Sequence, residues 1–155
     1  MAVYSKSTQN AVNMLTYIAQ AGKGKLSSVH DVSRATGIME PTVAKTLQLL
    51  VRESLLNSRK GPGGGFHLAV TPESVTLGRI LRAFEGKEPF SDCVAGLQSC
   101  SEDNVCPLHE KWKIVKQELA DFLDSTTLQE MVLAVETSEF SNLVLSKNST
   151  GTKLL

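Results

Sequence analysis

The sequence predicts a mostly α-helical protein with one small β-hairpin: a winged helix-turn-helix domain followed by a long dimerisation helix. Three observations carry this. Two short helical segments meet at a glycine between residues 28 and 52. A glycine-rich run, "GPGGG" at 61–65, follows directly on a basic pair, Arg59 and Lys60. Basic charge is confined to the first half: residues 1–72 hold eight Lys and Arg against three Asp and Glu, and residues 73–155 hold eight against thirteen. The whole chain is neutral, so only the halves reveal this asymmetry, and a basic half suits a polyanionic partner.

Each element follows in order. Residues 8–21 place Val12, Leu15, Ile18 and Ala19 at helical spacing, and "GKGK" then stops the helix. A second helix begins at Ser28, with Asp31 three residues on as in a capping box, and ends at Gly37. A third helix opens with Pro41, whose missing N–H costs nothing in a first turn. Val43, Leu47 and Leu50 share its buried face, which leaves Pro41, Lys45, Gln48 and Arg52 on the opposite one. This third helix is the candidate major-groove reader. Thr42 and Lys45 sit near its start to meet bases, and Gln48 and Arg52 further along to meet phosphates. The runs flanking "GPGGG" read as a hairpin, or wing, whose tip lacks bulk and carries Arg59 and Lys60 toward a backbone or minor groove. Next comes a short helix with Val75, Leu77, Ile80, Leu81 and Phe84, closed by Gly86. From His109 to Leu123, Trp112, Val115, Leu119 and Phe122 recur at spacings of three and four. That stripe suits a dimer interface, since paired helix-turn-helix units read two half-sites; ordinary core packing is the other reading. Thr127 and Glu130 form a second possible capping box at the start of a last helix.

The layout expected is a DNA-binding domain over 1–86, a cysteine-containing loop over 87–108, the dimer helix and a C-terminal helix over 109–136, and a Ser-, Asn- and Thr-rich disordered tail over 137–155. With 155 residues, 41% of them hydrophobic, the chain can bury a core. No apolar run approaches the roughly 18 residues of a membrane span, and the N-terminal residues lack the order of a signal peptide. The expectation is a cytoplasmic protein with no membrane partner. No enzymatic motif emerges. "GPGGG" is not followed by the Gly-Lys-Ser/Thr of a phosphate loop, and thiol oxidoreductases favour a C-x-x-C pair that is absent here. A small-molecule substrate is therefore not expected.

All three cysteines, Cys93, Cys100 and Cys106, lie in one stretch, separated by six and five residues, and His109 follows the last by three positions. These gaps match neither a zinc knuckle nor the ferredoxin runs, but they suit thiolates wrapping a cluster in a loop. Reduced thiols or a zinc site stay open on the residues alone. His109 could be a ligand or a solvated helix-end histidine. His30 and His67 are expected to have no special role.

Taken together, "GPGGG" with its basic pair, "EG" at 85–86, the cysteines ending in "CPLH" at 106–109, and "TLQEMV" at 127–132 make residues 1 to about 135 resemble a known family. It is that of the winged-helix regulators typified by the iron–sulfur cluster assembly regulator and the nitric-oxide-sensing repressor. The resemblance implies a homodimeric transcription factor, usually a repressor, whose affinity for a double-stranded operator depends on an iron–sulfur cluster. It further implies Cys93, Cys100, Cys106 and His109 as ligands, and a 2Fe-2S cluster in preference to 4Fe-4S. In the nitric-oxide-sensing type the fourth ligand resembles an acidic residue from the N-terminal helix of the other subunit, and Ser7, Thr8, Gln9 and Asn10 supply no carboxylate there. The alternative within the same fold is a cluster-free regulator controlled by thiol oxidation or a partner protein.

Overall fold

The computed structural model describes residues 4–86, 93–95 and 107–137. Helix α1 (Lys6–Gln20) starts two residues before the apolar periodicity does, because the Ser5 hydroxyl accepts from the Thr8 amide at 3.3 Å and caps it. Its buried face carries Ala11, Val12, Met14, Leu15 and Ile18. Helix α2 (Val29–Thr36) has the expected reciprocal cap: Asp31 N–H donates to Ser28 Oγ, Ser28 N–H donates to the Asp31 carboxylate, and Gly37 closes the helix with φ 69°. Helix α3 (Glu40–Arg52) buries Val43, Leu47 and Leu50 completely, as its spacing predicts.

Strands β1 (Leu56–Arg59) and β2 (Gly65–Leu68) form an antiparallel wing, with Leu56 opposite Leu68 and Arg59 opposite Gly65. A third segment, invisible in the local pattern, joins them. Ser27 exchanges two 2.9 Å backbone hydrogen bonds with Phe66, and so ties the root of α2 to the wing. Glycine is required here by close approach: a Cβ on Gly65 would run into the Ser27 carbonyl.

Helix α4 (Leu77–Glu85) is capped by the Thr76 hydroxyl and ends at Gly86, φ 67°. Helix α5 (His109–Ser125) leans on it through Arg82, which donates to both oxygens of Asp124 at 2.7 and 3.3 Å. Gly78 lies directly beneath that carboxylate, where any side chain would displace Asp124. Helix α6 (Leu128–Thr137) then folds back along α1. Its start is sewn to the segment before α4: Leu128 N–H donates to Val75 C=O at 2.7 Å, and Leu77 N–H to Thr126 C=O at 3.0 Å. The Thr127–Glu130 box forms as expected, with Thr127 N–H donating to Glu130 at 2.6 Å and Glu130 N–H returning to the Thr127 hydroxyl at 3.2 Å. Thr137, assigned to the tail by sequence, is the last residue of α6; the rest of that tail lies outside the described residues. One core joins all of this, with Leu123 and Leu128 packed together with Met14, Leu47, Leu56 and Ile80.

Two outcomes are expected. Leu128→Ala should lower stability by about 2–5 kcal/mol in urea unfolding, and a loss below about 1 kcal/mol would place α6 outside the core. The hydrogen bonds from Thr127 hold the Glu130 carboxyl below its ordinary value of 4.5. Its contribution is therefore present above that value and lost as pH falls through the lower folded-state value. Unfolding midpoints of wild type and Glu130→Gln should differ at neutral pH and converge in acid; a pH-independent difference would contradict this.

Candidate nucleic-acid interface and cysteine segment

The exposed side of α3 faces two adjacent grooves. One, of about 560 Å³, lies between α3 and the wing and is lined by Gln48, Arg52, Arg59 and Lys60, with Ser28 and Phe66 behind them. The other, of about 540 Å³, lies between α3 and the first turn of α1, and brings Pro41, Thr42, Lys45 and Arg52 together with Ser7. Arg52 lines both and so forms the ridge between them. All seven residues singled out for DNA contact thus surround one continuous surface. The groove geometry adds Ser7, which sequence reasoning missed; only its place in the first turn of α1 distinguishes it.

Among the described residues, none of Lys45, Arg52, Arg59 and Lys60 takes part in an ion pair, and all four side chains are exposed. Cations left in water on one face concentrate positive potential there. The wing tip is equally open: Gly61 and Gly63 adopt φ of 92° and 70° with nothing close to either, which lets the loop turn without presenting bulk.

The first turn of α1 is held from another element. Glu85, the last residue of α4, accepts from the Ser5 amide at 3.1 Å and from the Thr8 hydroxyl at 2.6 Å through the same oxygen. A carboxylate therefore does stand at the start of α1, supplied from α4 rather than from residues 7–10.

The cysteine segment begins immediately after this junction. Cys93 is partly exposed, and Cys100 and Cys106 lie outside the described residues. His109 is the first residue of α5 and only 6% exposed, which excludes the solvated helix-end histidine. Its neighbours Leu108 and Glu110 are exposed, so the imidazole is specifically turned inward. No group of three or more potential metal ligands occurs among the described residues, a set that does not include Cys100 and Cys106.

On α5, His109 and Leu123 are buried, and Asp124 meets α4. The stripe of Trp112, Val115, Leu119 and Phe122 lies to another side. Val115 and Phe122 are exposed, Phe122 by 57%, and Trp112 and Leu119 are half-buried. Among the described residues, core packing leaves Val115 and Phe122 of this stripe uncovered. Among the described residues no helix is long and apolar enough to cross a membrane.

A helix-turn-helix with a glycine-tipped wing and an open cationic face defines a winged-helix regulator. Residues 4–134 match the Rrf2 family model, described as iron-dependent transcriptional regulators, and the chain belongs to that family. It is 30% identical over 84% of its length to a protein of Aquifex aeolicus (strain VF5) named "Putative HTH-type transcriptional regulator", covering 91% of that protein. It is 25% identical over 92% of its length to the HTH-type transcriptional regulator IscR of Aliivibrio salmonicida (strain LFI1238), covering 83% of it. The structure of CymR, the global cysteine regulator of B. subtilis, superposes with a TM-score of 0.74 at 23% identity over 86% of this chain and 98% of that one, which confirms the fold. Transcriptional regulation is a non-enzymatic role, as the sequence leads one to expect.

The close approach at the wing root yields a direct expectation. Gly65→Ala should force Ser27 away, remove the hydrogen-exchange protection of the Ser27 and Phe66 amides, and lower stability by about 1–3 kcal/mol. Unchanged protection of both amides would contradict the geometry.

Proposed function

We propose that this chain is a cytoplasmic, homodimeric, operator-binding repressor whose DNA affinity is set by an iron–sulfur cluster on Cys93, Cys100, Cys106 and His109. The observation that carries the reading is that both ends of the cysteine segment meet α4, directly at Gly86 and through α5 at His109, and α4 holds the turn of α1 that borders the DNA groove. The segment leaves α4 at Gly86, one residue after the carboxylate that holds α1. It re-enters at His109, at the head of a helix clamped to α4 by Arg82 and Asp124.

The donor set fits the group: thiolates are the natural ligands of such clusters, and an imidazole among them raises the reduction potential. The inward, buried setting of His109 suits a ligand held in place. A bound 2Fe-2S cluster, favoured over 4Fe-4S by that fourth ligand, would supply a centre that oxidation, nitric oxide or iron scarcity can destroy. The chain's own residues do the rest. With its four ligands tied together, the 93–109 segment would be one rigid unit linking Gly86 to the His109 end of α5; once released, only the Asp124 end of α5 would stay fixed to α4. The α5 stripe pairs two copies, so this linkage sets how two α3 helices meet half-sites about 34–36 Å apart. A change of about 1.4 kcal/mol in the competent population alters affinity tenfold, so a small displacement suffices.

Arg52, between the two grooves, contacts phosphate. Arg52→Ala should weaken duplex binding evenly across sequences and reduce the slope of log affinity against log salt by about one. An unchanged slope would remove Arg52 from the interface. Anaerobic purification, visible absorption and iron and sulfide analysis test the cluster. Visible bands with equal iron and sulfide, lost in Cys106→Ser, are expected. A colourless protein after reconstitution that still binds duplex would overturn the cluster and leave control by the thiols or a partner protein.

A further inference from the structure

The sequence-based contact set on α3 contains no acid, yet the tip of this helix carries one. Glu40, the first residue of α3, has a side chain 55% exposed, and its Oε1 lies 2.8 Å from His30 Nδ1 on α2. Its second oxygen, Oε2, has no hydrogen-bond partner among the described residues. Beside it stands Met39, the N-cap residue, whose side chain makes no capping hydrogen bond and which is 74% exposed. It is the most exposed large hydrophobic residue among those described.

Neither residue lines the two grooves, and neither suits a phosphate contact. A carboxylate there repels the backbone, and a bare methionine offers it nothing. Neither is needed by the fold: Met39 packs on no core group, and Glu40 reaches only a surface imidazole. The N-terminal residues of a recognition helix, however, are the ones that reach base edges, and the major groove presents partners for both. The amino group of cytosine donates to a carboxylate, and the C5-methyl of thymine takes an apolar contact. His30 holds Glu40 from the α2 side through one oxygen and leaves the other for a donor. That restraint reduces the rotamer freedom lost on binding.

Resting on the DNA-binding reading above, we propose that Met39 and Glu40 form a base-reading head in which Glu40 Oε2 accepts from the amino group of a cytosine while Met39 packs on the methyl group of a neighbouring thymine. His30 acts as the positioning residue. The cationic groups around Arg52 then supply affinity, and this pair supplies part of the sequence choice.

The test is selection from a random duplex library, followed by sequencing, with the full-length wild type, Glu40→Gln and Met39→Ala. Both positions are exposed to solvent, so the variants should fold as the wild type does. Wild type should enrich a motif with cytosine at one fixed position of each half-site. Glu40→Gln removes the free carboxylate oxygen and should lose the cytosine preference at that position, with discrimination falling by roughly 5- to 150-fold. Met39→Ala should lose the thymine preference at the adjoining position. If Glu40→Gln enriches the same base with the same weight, Glu40 serves only to bridge α2 and α3, and the proposal fails. If no protein enriches any duplex, the DNA-binding reading falls and this proposal with it; the two failures are therefore distinct.

Discussion

One oxygen of Glu85 holds the start of α1 in place, and much of the molecule depends on it. Helix α1 crosses the core, so its direction fixes where α2, α3 and α6 can pack. Its first turn exposes amides that no residue of the helix can satisfy. Glu85 accepts from the Ser5 amide and from the fully buried Thr8 hydroxyl, and its negative charge lies at the positive end of the helix dipole. A charge-assisted hydrogen bond of this kind contributes about 1.5–3 kcal/mol. The same turn carries Ser7 to the groove beside Lys45 and Arg52.

Helix α4 is therefore the hub of the molecule. Its last residue holds α1, and three residues earlier Arg82 holds α5 by Asp124. Gly78 allows the Asp124 carboxylate to lie against the helix backbone, so the α4–α5 separation is set by the absence of a side chain. The strand-like exchange between Val75–Leu77 and Thr126–Leu128 reinforces this same end of the pair. In the proposed function, a change in the cysteine segment acts on two points of one rigid helix rather than on a flexible tether. Rigid elements with defined contacts are what carry coupling between distant sites.

Much of this could be read in the sequence where the controlling interactions are local. The capping boxes at Ser28–Asp31 and Thr127–Glu130, the closing glycines Gly37 and Gly86, and the buried Val43, Leu47 and Leu50 each follow from residues within a turn or two of one another. The cationic face was equally legible, because Lys45, Arg52, Arg59 and Lys60 lie on predicted exposed positions. What stayed hidden depends on pairs far apart in the chain. Glu85 meets Thr8 across 77 positions, and Arg82 meets Asp124 across 42. Ser27 joins the wing by backbone atoms alone, which no side-chain pattern encodes. His109 looked as much like a solvated helix-end residue as a ligand, because burial is a property of packing. His30 attracted no role for the same reason: its partner Glu40 lies on the next helix.

The central claim is that the state of the cysteine segment reaches the DNA face through α4. The most direct measurement is operator affinity of one anaerobic preparation, reconstituted with iron and sulfide and then stripped, for wild type and Glu85→Gln side by side. The account requires the two states of the wild type to differ by tenfold or more, and that difference to shrink markedly in Glu85→Gln while the visible spectrum stays unchanged. Equal affinity of both wild-type states, or a full difference preserved without the carboxylate, would contradict it.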